Sequence, residues 1–320
     1  MVMHWLAELD GRRVVVDVPA SSANLGAGYD CLGLALDLVN RVEVEVRGWS
    51  RGEVDLSVEG EGAEELAAST DNRFVAALEA VMREARGSLP EGVGWRVEMR
   101  NRIPLARGLG SSAAATVGGL VAGNALLGEP LTASDLLRLA AAIEGHADNA
   151  AAALLGGFVV VGDVEGAIET VRFDAPRDLR AVLFIPELRL ATADMRAVLP
   201  DAVPRGDAVA NLQRVGLGVA GIATGRFDLL GALTVDRLHE PYRATPYPAL
   251  PRLVDAARNA GALGACLSGA GSTILAFADS MTVIARIEAA FRAAAADTDV
   301  DGRIEVVSPR NAGAQVVAGR

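Results

Sequence analysis

Apolar and polar positions alternate with a period of two along several stretches of this chain and with a helical period along others. Arg13 to Val18 is β-branched and apolar, which predicts a strand that Pro19 should stop. Residues 19–33 are dense in Gly, Ser and Asn and read as a loop placed directly after a buried strand. Val39 to Arg47 and Val54 to Val58 alternate, as strands with one exposed face do. A helix is expected from Asp71-Asn72 to about Ala85, with Asp71 as its cap, and Gly94 to Arg102 is a further strand. Ala113 to Leu127 is a run of small helix formers, and Leu131 to Ile143 is amphipathic, with Thr132 set three before Asp135 as in a capping pair. Ala150 to Gly162 reads as a short helix and a strand. Beyond it, Val164 to Asp178 turns polar and charged, which places a boundary between domains at 1–162 and 163–320. The second half predicts a buried strand at Leu179–Ile185, a short helix at Thr192–Val198 and helices at 207–224, 226–238 and 249–260. A turn, glycine loop and strand follow at 265–277, then a helix at 281–296 and a closing strand from Arg303 to Val307.

Composition narrows the function classes. With 320 residues, 51% of them hydrophobic, the chain can bury the core of a two-domain globular protein. A net charge of -11 with no long basic stretch argues against a nucleic-acid surface. All 30 basic residues are Arg, so a Walker A loop and lysine Schiff-base chemistry are both excluded. Cys31 and Cys266 lack metal-ligand spacing and read as small hydrophobes in a reducing compartment. The first eighteen residues carry charges and no apolar core of a signal peptide. Residues 108–128 are uncharged, but six glycines make them a close-packed internal helix rather than a bilayer span. The expectation is a cytoplasmic protein without membrane contact.

The stretch that stands out chemically is Pro104-Leu105-Ala106-Arg107-Gly108-Leu109-Gly110-Ser111-Ser112-Ala113-Ala114. It follows a strand and opens a helix, so unsatisfied amides, a partial positive charge and two hydroxyls meet there, as in a phosphate cradle. A serine-capped buried helix fits the same residues. Gly26, Gly28 and Gly33 do not have dinucleotide-binding spacing. Among Glu144, His146 and Asp148, a lone Glu meeting a nucleotide-bound cation suits Mg²⁺, which takes one or two carboxylates besides phosphate oxygens and water. His146 reads as a packed or hydrogen-bonded histidine, and Asp148 as the cap of the next helix.

Three stretches in order resemble the GHMP kinase superfamily: Pro19 to Asp30, Pro104 to Ala113, and Leu267 to Thr273. Within it the chain looks like the homoserine kinases, on Asn24 with Asp30, on Glu144 to Asn149, and on Glu240-Pro241-Tyr242-Arg243. The third stretch departs by lacking the proline that often precedes its threonine. The resemblance spans nearly the whole chain. It implies a two-domain α+β fold, the N-terminal domain like ribosomal-protein S5 domain 2 and the C-terminal one ferredoxin-like, with the site between them. ATP phosphates would lie over residues 104–114, adenine at Asn72, and Mg²⁺ on Ser112 and Glu144. L-homoserine would place its ammonium at Asp30 and Asn24 and its carboxylate at Arg196 and Arg243, the residue types those charges require. Related sugar and mevalonate kinases carry Asp where this chain has Asn149, which implies that Asn149 orients the acceptor hydroxyl and takes no proton. A homodimer is also implied. Another small-molecule kinase of the superfamily and a non-catalytic nucleotide-binding member are the competing readings.

Overall fold

The computed structural model describes residues 8–49, 52–68, 72–89 and 92–319. The first half runs β1 (Arg13–Ala23), β2 (Leu32–Trp49), β3 (Val54–Gly60), α1 (Ala63–Ala68), α2 (Arg73–Arg86), β4 (Val93–Asn101), α3 (Ser111–Leu126), α4 (Ala133–Glu144), α5 (Asp148–Leu155), β5 (Phe158–Val164) and β6 (Ala167–Phe173). The second half runs β7 (Arg180–Pro186), α6 (Thr192–Ala197), α7 (Arg205–Thr224), a 3-10 turn (Phe227–Leu229), α8 (Leu230–Leu233), α9 (Glu240–Arg243), α10 (Leu250–Asn259), β8 (Gly264–Leu267), β9 (Ile274–Ala278), α11 (Met281–Thr298), β10 (Gly302–Val307) and β11 (Gln315–Gly319). The expected α+β mixture of helix and sheet holds.

The first sheet has strand order β11-β1-β2-β4-β3, with β5 beside β2 and β6 beside β5. Its pairs are antiparallel except β3 with β4. Pro19 does not stop β1. A register shift at Pro19/Ala20 lets the strand continue, Ala20 to Ala23 pairing with Leu36 to Gly33, because a bulge leaves the missing proline donor unneeded. The loop expected over 19–33 is therefore confined to 24–31. Small residues make this possible: Ala20, Ser21 and Ser22 are fully buried under the helical layer. Glycines of α3 let it approach equally closely, since a Cβ on Gly119 would stand 2.1 Å from the Phe74 carbonyl oxygen of α2. The uncharged run is thus an internal helix, and among the described residues no helix is long and apolar enough to cross a membrane.

The second sheet, β10-β7-β9-β8, is antiparallel, with β7, β8 and β9 buried on both faces and β10 a partly exposed edge. Period-two alternation sorts β7 between two cores. Val182 and Phe184 pack with Tyr247, Leu253, Ile287 and Phe291 under α10 and α11, while Ala181, Leu183 and Ile185 join the core of the first sheet. Phe277 of β9 meets Phe158 of β5 across that junction, ring centroids 6.2 Å apart.

Four differences from the sequence reading have physical causes. Asn72 caps α2, its Oδ1 accepting the amides of Phe74 and Val75; Asp71 lies outside the described residues. The helix expected at 226–238 breaks after Leu233, because the Asp236 carboxylate collects the amides of Leu238, His239 and Glu240 and turns the chain into α9. The polar stretch after Val164 holds β6, which returns along β5, so the division expected after residue 162 runs through the β5–β6 hairpin. Finally, β11 sends the C-terminal segment back to the first sheet, against β1.

Candidate active site

The end of β1 and two loops, far apart in sequence, are bonded into one floor. Ser268 Oγ donates to the Gly108 carbonyl at 2.6 Å and lies 2.8 Å from Ser22 Oγ. The Gly269 amide donates to Ala23 O at 3.1 Å, the Thr273 amide to Arg107 O at 3.1 Å, and the Ser21 amide to Leu109 O at 3.1 Å. Contact this close demands glycine: Gly108 has φ 73°, and a Cβ there would lie 2.1 Å from Ser268 O. Gly110, at φ 69°, has Ser21 Oγ at the same 2.1 Å.

Gly110 is also the N-cap of α3 and makes no side-chain cap bond, so the first amides of the helix are open to the cavity above them. Ser112 does not cap either. Its Oγ lies 2.9 and 2.7 Å from the two Glu144 carboxylate oxygens, and Thr116 Oγ1, one turn on, donates to Glu144 Oε1 at 2.6 Å. Arg73 at the start of α2 reaches the same oxygen at 3.1 Å. Glu144, its side chain only 5% exposed, thus sits where three helix ends meet. Among the described residues no cluster of three His, Cys, Asp or Glu side chains is placed to hold a metal. One buried carboxylate beside a hydroxyl fits a cation whose other ligands are phosphate oxygens and water.

One cavity collects all the expected substrate residues, Asn24, Asp30, Asn149, Arg196 and Arg243, together with the expected cation ligands Ser112 and Glu144, with the loop from Ala106 to Ala113 as its base. An adjoining recess is lined by Asn72, Leu105, Ser111 and Ala114. Pro104 lines neither. Arg107 touches the cavity, but its guanidinium is committed to the carbonyls of Leu105, Pro186 and Glu187 and fastens the loop to the end of β7.

Asn24, at φ 69°, donates from Nδ2 to Gly269 O at 3.0 Å and accepts the Asp30 amide at 3.1 Å. Asn149 Oδ1 accepts from Ser21 Oγ at 2.9 Å. Asp148 is not the expected cap: it is the first residue of α5, and its Oδ1 takes the Asn149 amide at 2.7 Å and His146 Nδ1 at 3.0 Å. His146 is hydrogen-bonded as expected, and the Asp148 bond raises its pKa above the ordinary histidine value.

Sequence reasoning missed a second cluster behind the arginines. Arg243 is 1% exposed, and it donates to Met195 O at 3.2 Å and Gly269 O at 3.0 Å. Its Nη1 also lies 3.0 Å from His239 Nδ1. Desolvation drives the His239 pKa down to about 4, so the ring is neutral: Nδ1 accepts from Arg243 and Nε2–H donates to Gly26 O at 2.9 Å. Tyr29 stacks near this ring, centroids 5.2 Å apart, and faces both guanidiniums. Adjacency to Asp30 was the only signal for Tyr29, and the spacing from Ser112 to Thr116 the only one for Thr116.

Residues 72–157 match the model of the GHMP kinase N-terminal domain and residues 219–297 that of the GHMP kinase C-terminal domain. A homoserine kinase of Moorella thermoacetica is 41% identical over 303 residues, covering 95% of this chain and 99% of its own length. That of Carboxydothermus hydrogenoformans is 42% identical over 273 residues, or 85% and 88%. The crystal structure of homoserine kinase from Cytophaga hutchinsonii superposes with a TM-score of 0.84 at 31% identity, covering 95% of this chain and 97% of that one. L. major mevalonate kinase, at 16% identity and a TM-score of 0.66 over 93% and 95%, shares the two-domain fold. The chain belongs to the homoserine kinases of the GHMP kinase superfamily.

Proposed function

We propose that this kinase transfers the γ-phosphoryl group of ATP to the side-chain hydroxyl of L-homoserine, giving O-phospho-L-homoserine. The observation that carries the reading is one cavity holding an anion-binding helix end, a carboxylate and two guanidiniums. The phosphates lie over the open amides of α3, and the base occupies the recess beside Asn72, whose Oδ1 is engaged by the helix cap and whose Nδ2 remains for the base. Ser112 and Glu144 are the residues that would hold Mg²⁺, which neutralises charge on the phosphates when bound.

Asn149 is already accepting through Oδ1, so its Nδ2 is the group left to fix the homoserine oxygen in line with phosphorus. The oxygen–phosphorus bond forms as the bridge to ADP breaks, and the hydroxyl proton leaves to solvent. No side chain need remove that proton first, because a loose transition state makes positioning and charge the main contributions. An alcohol acceptor, magnesium, a cytoplasmic location, a role in threonine biosynthesis and a homodimer belong to the same proposal. Arg196→Ala tests it: steady-state kinetics should show the homoserine KM rising about 10- to 100-fold, the loss of a charge-assisted pair, with the ATP KM little changed. Equal effects on both substrates would contradict the assignment.

A further inference from the structure

Asp30 and Arg196, to which the proposed reading gives opposite charges of one substrate, are bonded to each other. Arg196 Nη1 and Nη2 donate to Asp30 Oδ2 and Oδ1 at 2.9 and 2.7 Å, two parallel bonds, and Nη1 also donates to Tyr29 OH at 2.8 Å. Their side chains are 36% and 37% exposed, so the pair faces the cavity and can be reached by a ligand. Asp30 is held from behind by the bond from its amide to Asn24, at φ 54°. Arg243 differs. Its partners are two carbonyls and the neutral His239 ring, so it can receive a carboxylate without breaking an ion pair.

We infer that the Asp30–Arg196 pair is a charge-exchange latch that admits α-amino acids and rejects ligands carrying only one of their two charges. The inference rests on the homoserine reading of this cavity and goes beyond it by making the two charge requirements interdependent. A zwitterion replaces one bidentate pair with two charge-assisted pairs, ammonium to Asp30 and carboxylate to Arg196, and leaves no charge alone. A hydroxy acid that draws Arg196 away strands the Asp30 carboxylate, and an amino alcohol that takes Asp30 strands the guanidinium. An uncompensated charge in a half-enclosed site costs more than the bond that was lost. Tyr29 acts as a positioning residue, its hydroxyl keeping Arg196 against Asp30 until both ends of a ligand arrive.

The test uses two halves of homoserine. Titration calorimetry would measure 4-hydroxybutanoate and 3-amino-1-propanol on the wild type, Asp30→Asn and Arg196→Gln. Asn tolerates a positive φ, so the first change spares the backbone. With the latch, Asp30→Asn binds the hydroxy acid about tenfold or more tightly than the wild type does, and Arg196→Gln does the same for the amino alcohol, although both variants lose homoserine. Independent subsites predict no gain, because each variant removes a group that the half-ligand does not touch. Absence of a gain in both variants, non-binding included, overturns the latch. Should Asp30→Asn fail to fold, Arg196→Gln decides alone. Homoserine turnover by the wild type in the same preparations tests the underlying reading separately. Turnover without gains fails the latch only, and gains without turnover keep the latch for a different α-amino acid.

Discussion

Asn149 shows how a single atom's engagement limits chemistry. Its Oδ1 is occupied by Ser21, which leaves an amide donor at the place where a carboxylate would act as base. Asn149→Ala should therefore lower kcat about 10- to 100-fold with the homoserine KM nearly unchanged, since orientation matters most in the transition state. Steady-state kinetics that showed an unchanged kcat would remove the orienting role. Several residues of the cavity were legible because the three glycine motifs carry them. Arg196 and Arg243 were legible only through motif position, and nothing in the sequence signalled that Arg243 is buried or that Asp30 and Arg196 are bonded. Such facts depend on which distant elements meet: Asp30 comes from the loop after β1, and Arg196 from α6.

Among the elements, α3 and α9 bear the sharpest constraints. The close approach of α3 to α2 leaves no room at Gly119, so Gly119→Ala should cost about 2 kcal/mol or more in urea denaturation by forcing the backbones apart. A neutral result would mean that the two helices are not in backbone contact. Glu240 at the start of α9 accepts the Leu267 amide at 2.7 Å, and desolvation pushes its pKa up to about 8, from an ordinary glutamate value of 4.5. Between those values the folded protein keeps a proton that the unfolded chain has released, so this group makes stability fall as pH rises. Glu240→Gln keeps an acceptor and removes the titration. Its melting temperature should match the wild type near pH 5 and exceed it by several degrees near pH 9; a constant difference would show that Glu240 does not titrate in that window. Helix capping at Thr132 was readable because the signal is local, with Thr132 and Asp135 exchanging bonds as expected. The break after Leu233 in the helix expected at 226–238 was not, because the Asp236 carboxylate takes amides of the following residues in a way that the apolar pattern does not report.

At the scale of the whole molecule, period-two alternation marked strands β2, β3 and β4 of the first sheet and apolar runs marked β1 and β7, while β8, buried along its whole length, was read as a turn. Alternation failed where strands are not half-buried. β11 is exposed along its length and carries no alternation, and β6 is masked by charged residues on its open face. Both are edge strands placed by pairing alone. What makes the candidate site is the junction of the two sheets, where the loop after β8 is bonded to the end of β1 and to the loop after β4. That junction supports the central claim, a phosphate cradle and an amino-acid site sharing one cavity. The most direct measurement is ADP release with ATP and Mg²⁺ against L-homoserine, L-serine, mevalonate and galactose. The account predicts turnover on L-homoserine and none of comparable rate on the others. Turnover on mevalonate or galactose instead, or ATP binding with no turnover on any of the four, would contradict it.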